Sequence, residues 1–78
     1  MQNEHQIIRA VEAAKTDAQK ADELIRSYLP FIRAEASKAI SRPCTEQDDE
    51  FSIAMIAFHE AILGYERRRG AFLPYAAL

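Results

Sequence analysis

In the stretch Phe51-Ser52-Ile53-Ala54-Met55-Ile56-Ala57-Phe58-His59-Glu60-Ala61-Ile62, the residues Phe51, Met55, Phe58 and Ile62 recur at i, i+4, i+7 and i+11. That is the spacing of one face of an α-helix. Ile53, Ala54, Ile56, Ala57 and Ala61 widen the stripe, so the helix is apolar on most sides. Such a helix is either central to its domain or carries a second apolar surface for a partner. Upstream, Thr45-Glu46-Gln47-Asp48 reads as a variant capping box, and Glu46, Asp48, Asp49 and Glu50 fall in the first turns, where the helix dipole favours negative charge. The helix is expected to end at Gly64-Tyr65.

The same periodicity covers the rest of the chain. Asn3 is an acceptable N-cap, and Ile7, Ile8, Val11 and Ala14 form a stripe predicting a helix from Glu4 to Lys15. Thr16-Asp17-Ala18-Gln19 matches a capping box for a second helix. Its apolar positions run in phase through Leu24, Ile25, Tyr28, Ile32, Ala36 and Ile40, across Pro30, which predicts a kink rather than a stop. Pro43 sets an end by Arg42. After the basic turn Glu66-Arg67-Arg68-Arg69-Gly70, Pro74 suits the first position of another helix within Phe72-Leu78. The expected fold is all-α: a bundle of three helices, the second kinked at Pro30, plus the start of a fourth. Ile7, Ile8, Val11, Leu24, Ile25, Tyr28, Ile32, Phe51, Met55, Phe58 and Ile62 are its expected core. Residues 1–78 read as one domain, and as the N-terminal part of a longer chain.

Composition narrows the function classes. The 78 residues are 49% hydrophobic with a net charge of −2, which excludes a disordered chain. Two Gly and three Pro are too few breakers for an all-β fold. One cysteine, Cys44, permits no internal disulfide and fits a reducing cytoplasm. No apolar run reaches a membrane span, and Met1-Gln2-Asn3-Glu4-His5 does not open a signal peptide.

The chain offers no nucleophile–base pair, and His5 and His59 lack metal-ligand spacing, so neither an enzyme nor a cofactor or metal is expected. His59 reads as a helix histidine, Cys44 as an inert thiol, and Asp48-Asp49-Glu50 mainly as dipole compensation compatible with partner binding. Charge is unevenly spread: six basic residues face six acidic ones through Ser41, one faces five from Arg42 to Gly64, and three face one from Tyr65 on. The basic end is also aromatic, with Tyr65, Phe72 and Tyr75. Two readings stand for it: a solvated arginine run beyond a helix C-terminus, or arginines on phosphate with aromatics stacked on unpaired bases.

The ordered combination of Leu24-Ile25-Arg26-Ser27-Tyr28-Leu29-Pro30-Phe31-Ile32, Asp48-Asp49-Glu50-Phe51-Ser52-Ile53-Ala54-Met55-Ile56-Ala57-Phe58-His59-Glu60-Ala61-Ile62, Tyr65-Glu66-Arg67-Arg68-Arg69-Gly70 and Phe72-Leu73-Pro74-Tyr75-Ala76 resembles region 2 of the sigma-70 family of RNA polymerase sigma factors. The string from Asp48 to Ile62 is most similar to the SigI-like subgroup. The resemblance implies a non-enzymatic transcription-initiation module with two surfaces. One, mapped onto Asp48, Asp49, Ser52, Ile53, Met55, Ile56 and His59, docks on a coiled coil of the polymerase's largest subunit. The other, mapped onto Arg67, Arg68, Arg69, Phe72 and Tyr75, captures and melts the promoter −10 element on its non-template strand. An anti-sigma factor is a further implied partner, and no membrane is. Ser52 and Ile53 replace a polar pair common in housekeeping members, and Leu73-Pro74 replaces a Ser-Thr-like pair. The rival expectation is a small helical adaptor that never touches DNA.

Overall fold

The computed structural model describes residues 3–77. Leu78, read above as part of the last helix, lies outside them. The described residues form five α-helices and a 3₁₀ turn and contain no strand. The all-α expectation holds.

Helix α1 (Glu4–Ala14) starts on Asn3, whose Oδ1 accepts from the Gln6 amide at 2.9 Å while the Asn3 amide donates to Gln6 Oε1 at 3.0 Å. Two backbone donors at the helix start are thereby satisfied reciprocally. Ile7, Val11 and Ala14 are buried along the predicted stripe. The next cap is Asp17 rather than Thr16. Its carboxylate accepts from the amides of Gln19 (3.0 Å) and Lys20 (3.2 Å), where a negative charge gains more from the helix end than a hydroxyl does.

The single kinked helix of the sequence reading is divided into α2 (Ala18–Ser27) and α3 (Leu29–Ile40). Pro30 is the second residue of α3. It has no N–H for the Arg26 carbonyl, and in a continuous helix its ring would collide with that carbonyl. The chain closes α2 instead with a Tyr28 N–H to Ile25 bond of 3.1 Å and reopens with Ile32 N–H to Tyr28 at 2.9 Å. Tyr28, at φ −114° and ψ 20°, serves both helices and stays buried. Helix α3 ends through Ser41 in the left-handed region (φ 58°), before Pro43 as expected.

Helix α4 (Asp49–Gly64) packs against all four other helices. Phe58 is the hub of the core. Its ring stacks on Tyr28 at 6.1 Å and meets Phe31 (6.1 Å) and Phe72 (5.5 Å) edge-on. Ala36, Cys44 and Phe51 form a smaller apolar cluster beneath the α3–α4 connection.

The chain leaves α4 through Tyr65 into the 3₁₀ turn Arg67–Arg69, and then into α5 (Phe72–Ala76). Pro74 is the third residue of α5, not the first, which its missing N–H equally allows. Gly70 joins the turn to α5 at φ 88° and ψ −149°, a conformation close to exclusive to glycine. A Cβ there would meet nothing within 4 Å, so substitution is penalised by the backbone alone. Gly70→Ala is therefore expected to destabilise the chain by about 1–3 kcal/mol, read as a lower melting temperature with an unchanged helical spectrum below it.

Candidate functional site

Helix α4 has more apolar residues than its neighbours can cover. Phe51, Phe58 and Ile62 face the core, with Ala54, Met55 and Ala61 half-buried beside them. The opposite side presents Ser52, Ile53, Ile56, Ala57, His59, Glu60 and Leu63 to solvent. Ile53, Ile56 and Leu63 are 62%, 61% and 52% exposed, and no other large hydrophobic described here is so open. A contiguous apolar strip left on a small soluble domain marks a surface that another body covers. Towards α3 the strip runs into an open groove of about 470 Å³, lined by Phe31, Glu35, Ala39, Ile53 and Ala57.

Of the docking residues implied by resemblance, Asp49, Ser52, Ile53, Ile56 and His59 share this outward side. Met55 does not: it packs half-buried between the two apolar clusters. Leu63 extends the strip and was not among the expected residues, although its place seven positions after Ile56 puts it on the same helix face.

Asp48 is also committed elsewhere. Its carboxylate turns back from α4, taking both terminal nitrogens of Arg42 at 3.1 and 3.3 Å and the Thr45 amide at 2.9 Å. The expected Thr45–Asp48 capping box is not formed: Asp48 itself is the N-cap of α4, makes no side-chain cap bond, and ties its carboxylate back to the Thr45 amide in the loop. The Arg42 hydrogen bonds, then that of Thr45, hold the Asp48 carboxyl at about 2, against an ordinary 3.8. A depressed carboxyl contributes stability above its unfolded value and loses it as pH falls through the folded one. Asp48→Asn is accordingly expected to be less stable than the parent at neutral pH. The gap between the two melting temperatures should close between pH 3.8 and about pH 2.

The basic turn begins where α4 ends. A 16-residue helix is about 24 Å long, so Asp49 and the arginines lie at opposite ends of one rod. The turn is held from beneath by Tyr65, which is fully buried; its hydroxyl donates to the Gly70 carbonyl, and its own carbonyl accepts from Lys15 Nζ on the α1 side. The three arginines differ. Arg67 donates from Nε (3.0 Å) and Nη2 (2.7 Å) to Glu12 of α1. Arg68 pairs with its neighbour Glu66 at 3.0 and 3.3 Å. Arg69 has no ion pair among the described residues.

Phe72 corrects an expectation. It is 1% exposed, edge-on to Phe58 at 5.5 Å and to Tyr65 at 5.3 Å, so its ring has no face to offer a base. Tyr75 is half-buried, edge-on to Tyr65 at 5.5 Å, with its hydroxyl over Gly64, where an added Cβ would lie 3.2 Å from it. Glu12, which holds Arg67 in place, carried no signal in the local pattern, and Tyr65, read as one aromatic of the basic end, gave no sign that it is the buried support of the turn. Glu12 lies 55 positions from the arginine it binds.

Comparison with known proteins gives three relatives. The chain is 40% identical over 72 residues to the RNA polymerase sigma factor SigI of Bacillus subtilis (strain 168), covering 91% of this chain and 28% of that protein. It is 49% identical over 55 residues to the SigI of Bacillus anthracis, covering 69% and 23% respectively. It is 38% identical over 71 residues to the sigma factor SigI7 of Acetivibrio thermocellus, covering 90% and 30%. The chain thus spans between a quarter and a third of the length of these relatives, or slightly less. No family profile matches, and no solved structure does. Identities of this size over most of its length place the chain in the sigma-70 family of sigma factors, beside the SigI proteins.

Proposed function

We propose that the chain acts in transcription initiation as a sigma region 2 domain, working in the cytoplasm without catalysis of its own. Its outward α4 side docks on the coiled coil of the polymerase's largest subunit. Its basic turn helps recognise and melt the promoter −10 element. The observation that carries this reading is the strip Ile53, Ile56 and Leu63, open on a helix whose other side packs against all four neighbouring helices. Asp49 and Glu60 lie on the same outward side and have no ion pair among the described residues, so they suit a partner with basic residues around an apolar centre. An anti-sigma factor covering the same strip would exclude the polymerase.

On the DNA side, Arg69 is free to hold phosphate, and Arg67 and Arg68 can do so by exchanging partners. Stacking falls to Tyr75 alone, because Phe72 is spent on anchoring α5. Base–aromatic stacking is worth about 1–3 kcal/mol.

The internal pairing of Arg67 and Arg68 favours one alternative, an adaptor that binds polymerase and leaves DNA alone. Two measurements separate the readings. The purified chain should bind the isolated coiled coil; failure to do so sinks the docking assignment. With polymerase present, Arg69→Ala and Tyr75→Ala should each weaken binding of single-stranded −10 DNA and leave the coiled-coil affinity unchanged. If neither weakens it, the adaptor reading stands.

A further inference from the structure

The last turn of α1 reaches the basic turn at two points. Lys15 Nζ donates to the Tyr65 carbonyl, and Glu12, three positions earlier on the same face, accepts from Arg67. Both Arg67 donors converge on the same oxygen, Glu12 Oε1. The Arg68 pair is different in kind, since Glu66 belongs to the turn itself and moves with it. Of the two arginine pairs, only that of Arg67 ties the turn to a separate element. It remains open to solvent, with the arginine side chain 59% and the glutamate side chain 41% exposed, so an incoming anion can reach the guanidinium without unfolding anything.

We infer that Glu12 is an internal counter-ion for Arg67, occupying its guanidinium until a nucleic-acid phosphate displaces the carboxylate. The inference rests on the DNA-binding reading above and adds a regulating residue to it. An arginine fork binds carboxylate and phosphate with the same two-donor geometry, so the two anions compete for one site. Consistent with the pairing, the Arg67 hydrogen bond lowers the Glu12 carboxyl below its ordinary value, and Glu12 raises Arg67. The competition is mild, because an exposed pair is worth little. It attenuates affinity for anionic strands without abolishing it, and screening removes it at high salt.

The test is fluorescence anisotropy of a labelled single-stranded −10 DNA titrated, with polymerase present, with four chains at low ionic strength: the parent, Glu12→Gln, Arg67→Ala and the double variant. Circular dichroism establishes that each is folded. Glu12→Gln is expected to bind about two- to fivefold more tightly than the parent, with the advantage fading as salt rises. In the Arg67→Ala background the same substitution should change nothing, because the carboxylate acts through that guanidinium. If Glu12 merely positions Arg67 for DNA, Glu12→Gln will bind more weakly, and the inference fails. A gain that persists without Arg67 also overturns it, since it would then reflect only the loss of a negative charge. Binding that Glu12→Gln leaves unchanged overturns the inference alone. Absence of DNA binding by all four chains overturns the DNA-binding reading with it.

Discussion

Phe58→Ala is expected to lower the melting temperature by roughly 15–30 °C. Phe58 is 3% exposed, and three aromatic rings from α2–α3, α3 and α5 converge on it. Truncating a buried phenylalanine costs about 3–5 kcal/mol, through lost transfer energy and the cavity left behind. The edge-on and stacked ring pairs are lost as well. A chain of this length has only about 4–12 kcal/mol to lose. Each kcal/mol moves the midpoint of so small a domain by about 4–8 °C. Thermal unfolding followed by circular dichroism measures the effect. A fall of less than about 8 °C would mean that α3 and α5 close over the site, and that Phe58 is not the hub described here.

Ile56→Lys is expected to have the opposite profile: intact folding and at least a thirtyfold loss of affinity for the polymerase coiled coil, about 2 kcal/mol as for a central interface anchor. Ile56 is 61% exposed, so the fold loses little by its removal. Lysine is the better helix former, and it stands four residues before Glu60 on the same face. In a docked complex the same position would bury an ammonium group among apolar atoms, opposite basic residues of the partner. Calorimetric titration of the coiled coil with parent and variant gives the ratio, and a melting curve gives the control. Equal affinities with equal stability would show that the open strip on α4 serves some other partner.

The two substitutions sit two positions apart on one helix, and the sequence already separates them. Phe58 belongs to the stripe Phe51, Met55, Phe58 and Ile62; Ile56 belongs to the apolar surplus beside it. Periodicity shows that α4 has two apolar sides. Which side meets the core was correctly read from the bulk of the stripe, because aromatic side chains offer the most area to bury. Ile7 and Val11 in α1, Leu24 in α2 and Ile32 in α3 were legible from their helical spacing, whereas Ile8 and Ile25, also expected in the core, are only half-buried beside it. The acidic start of α4 and the arginine turn at its end were legible as well.

The illegible parts share one property: their partners are remote in sequence, or depend on which of several local bonds wins. Phe72 looked like a free aromatic beside arginines. It is a core residue because Phe58 and Tyr65 come together above α5. Asp48 looked like a free carboxylate at a helix start. It turns away because Arg42 offers two donors and Thr45 a third. Pro30 announced a disturbance but not its size. A kink would have left Tyr28 helical, whereas its burial in the core lets it close one helix and open the next.

The sequence by itself determined the all-α class, the central helix, its polar ends and the family resemblance, because helix periodicity, capping and charge are written within a few residues of one another. The tertiary structure alone decided which charges and aromatics stay available. That choice depends on contacts such as Glu12–Arg67 and Lys15–Tyr65, 55 and 50 positions apart. No local pattern encodes them; they exist only once the packing of α1 against the bundle has brought those side chains within reach.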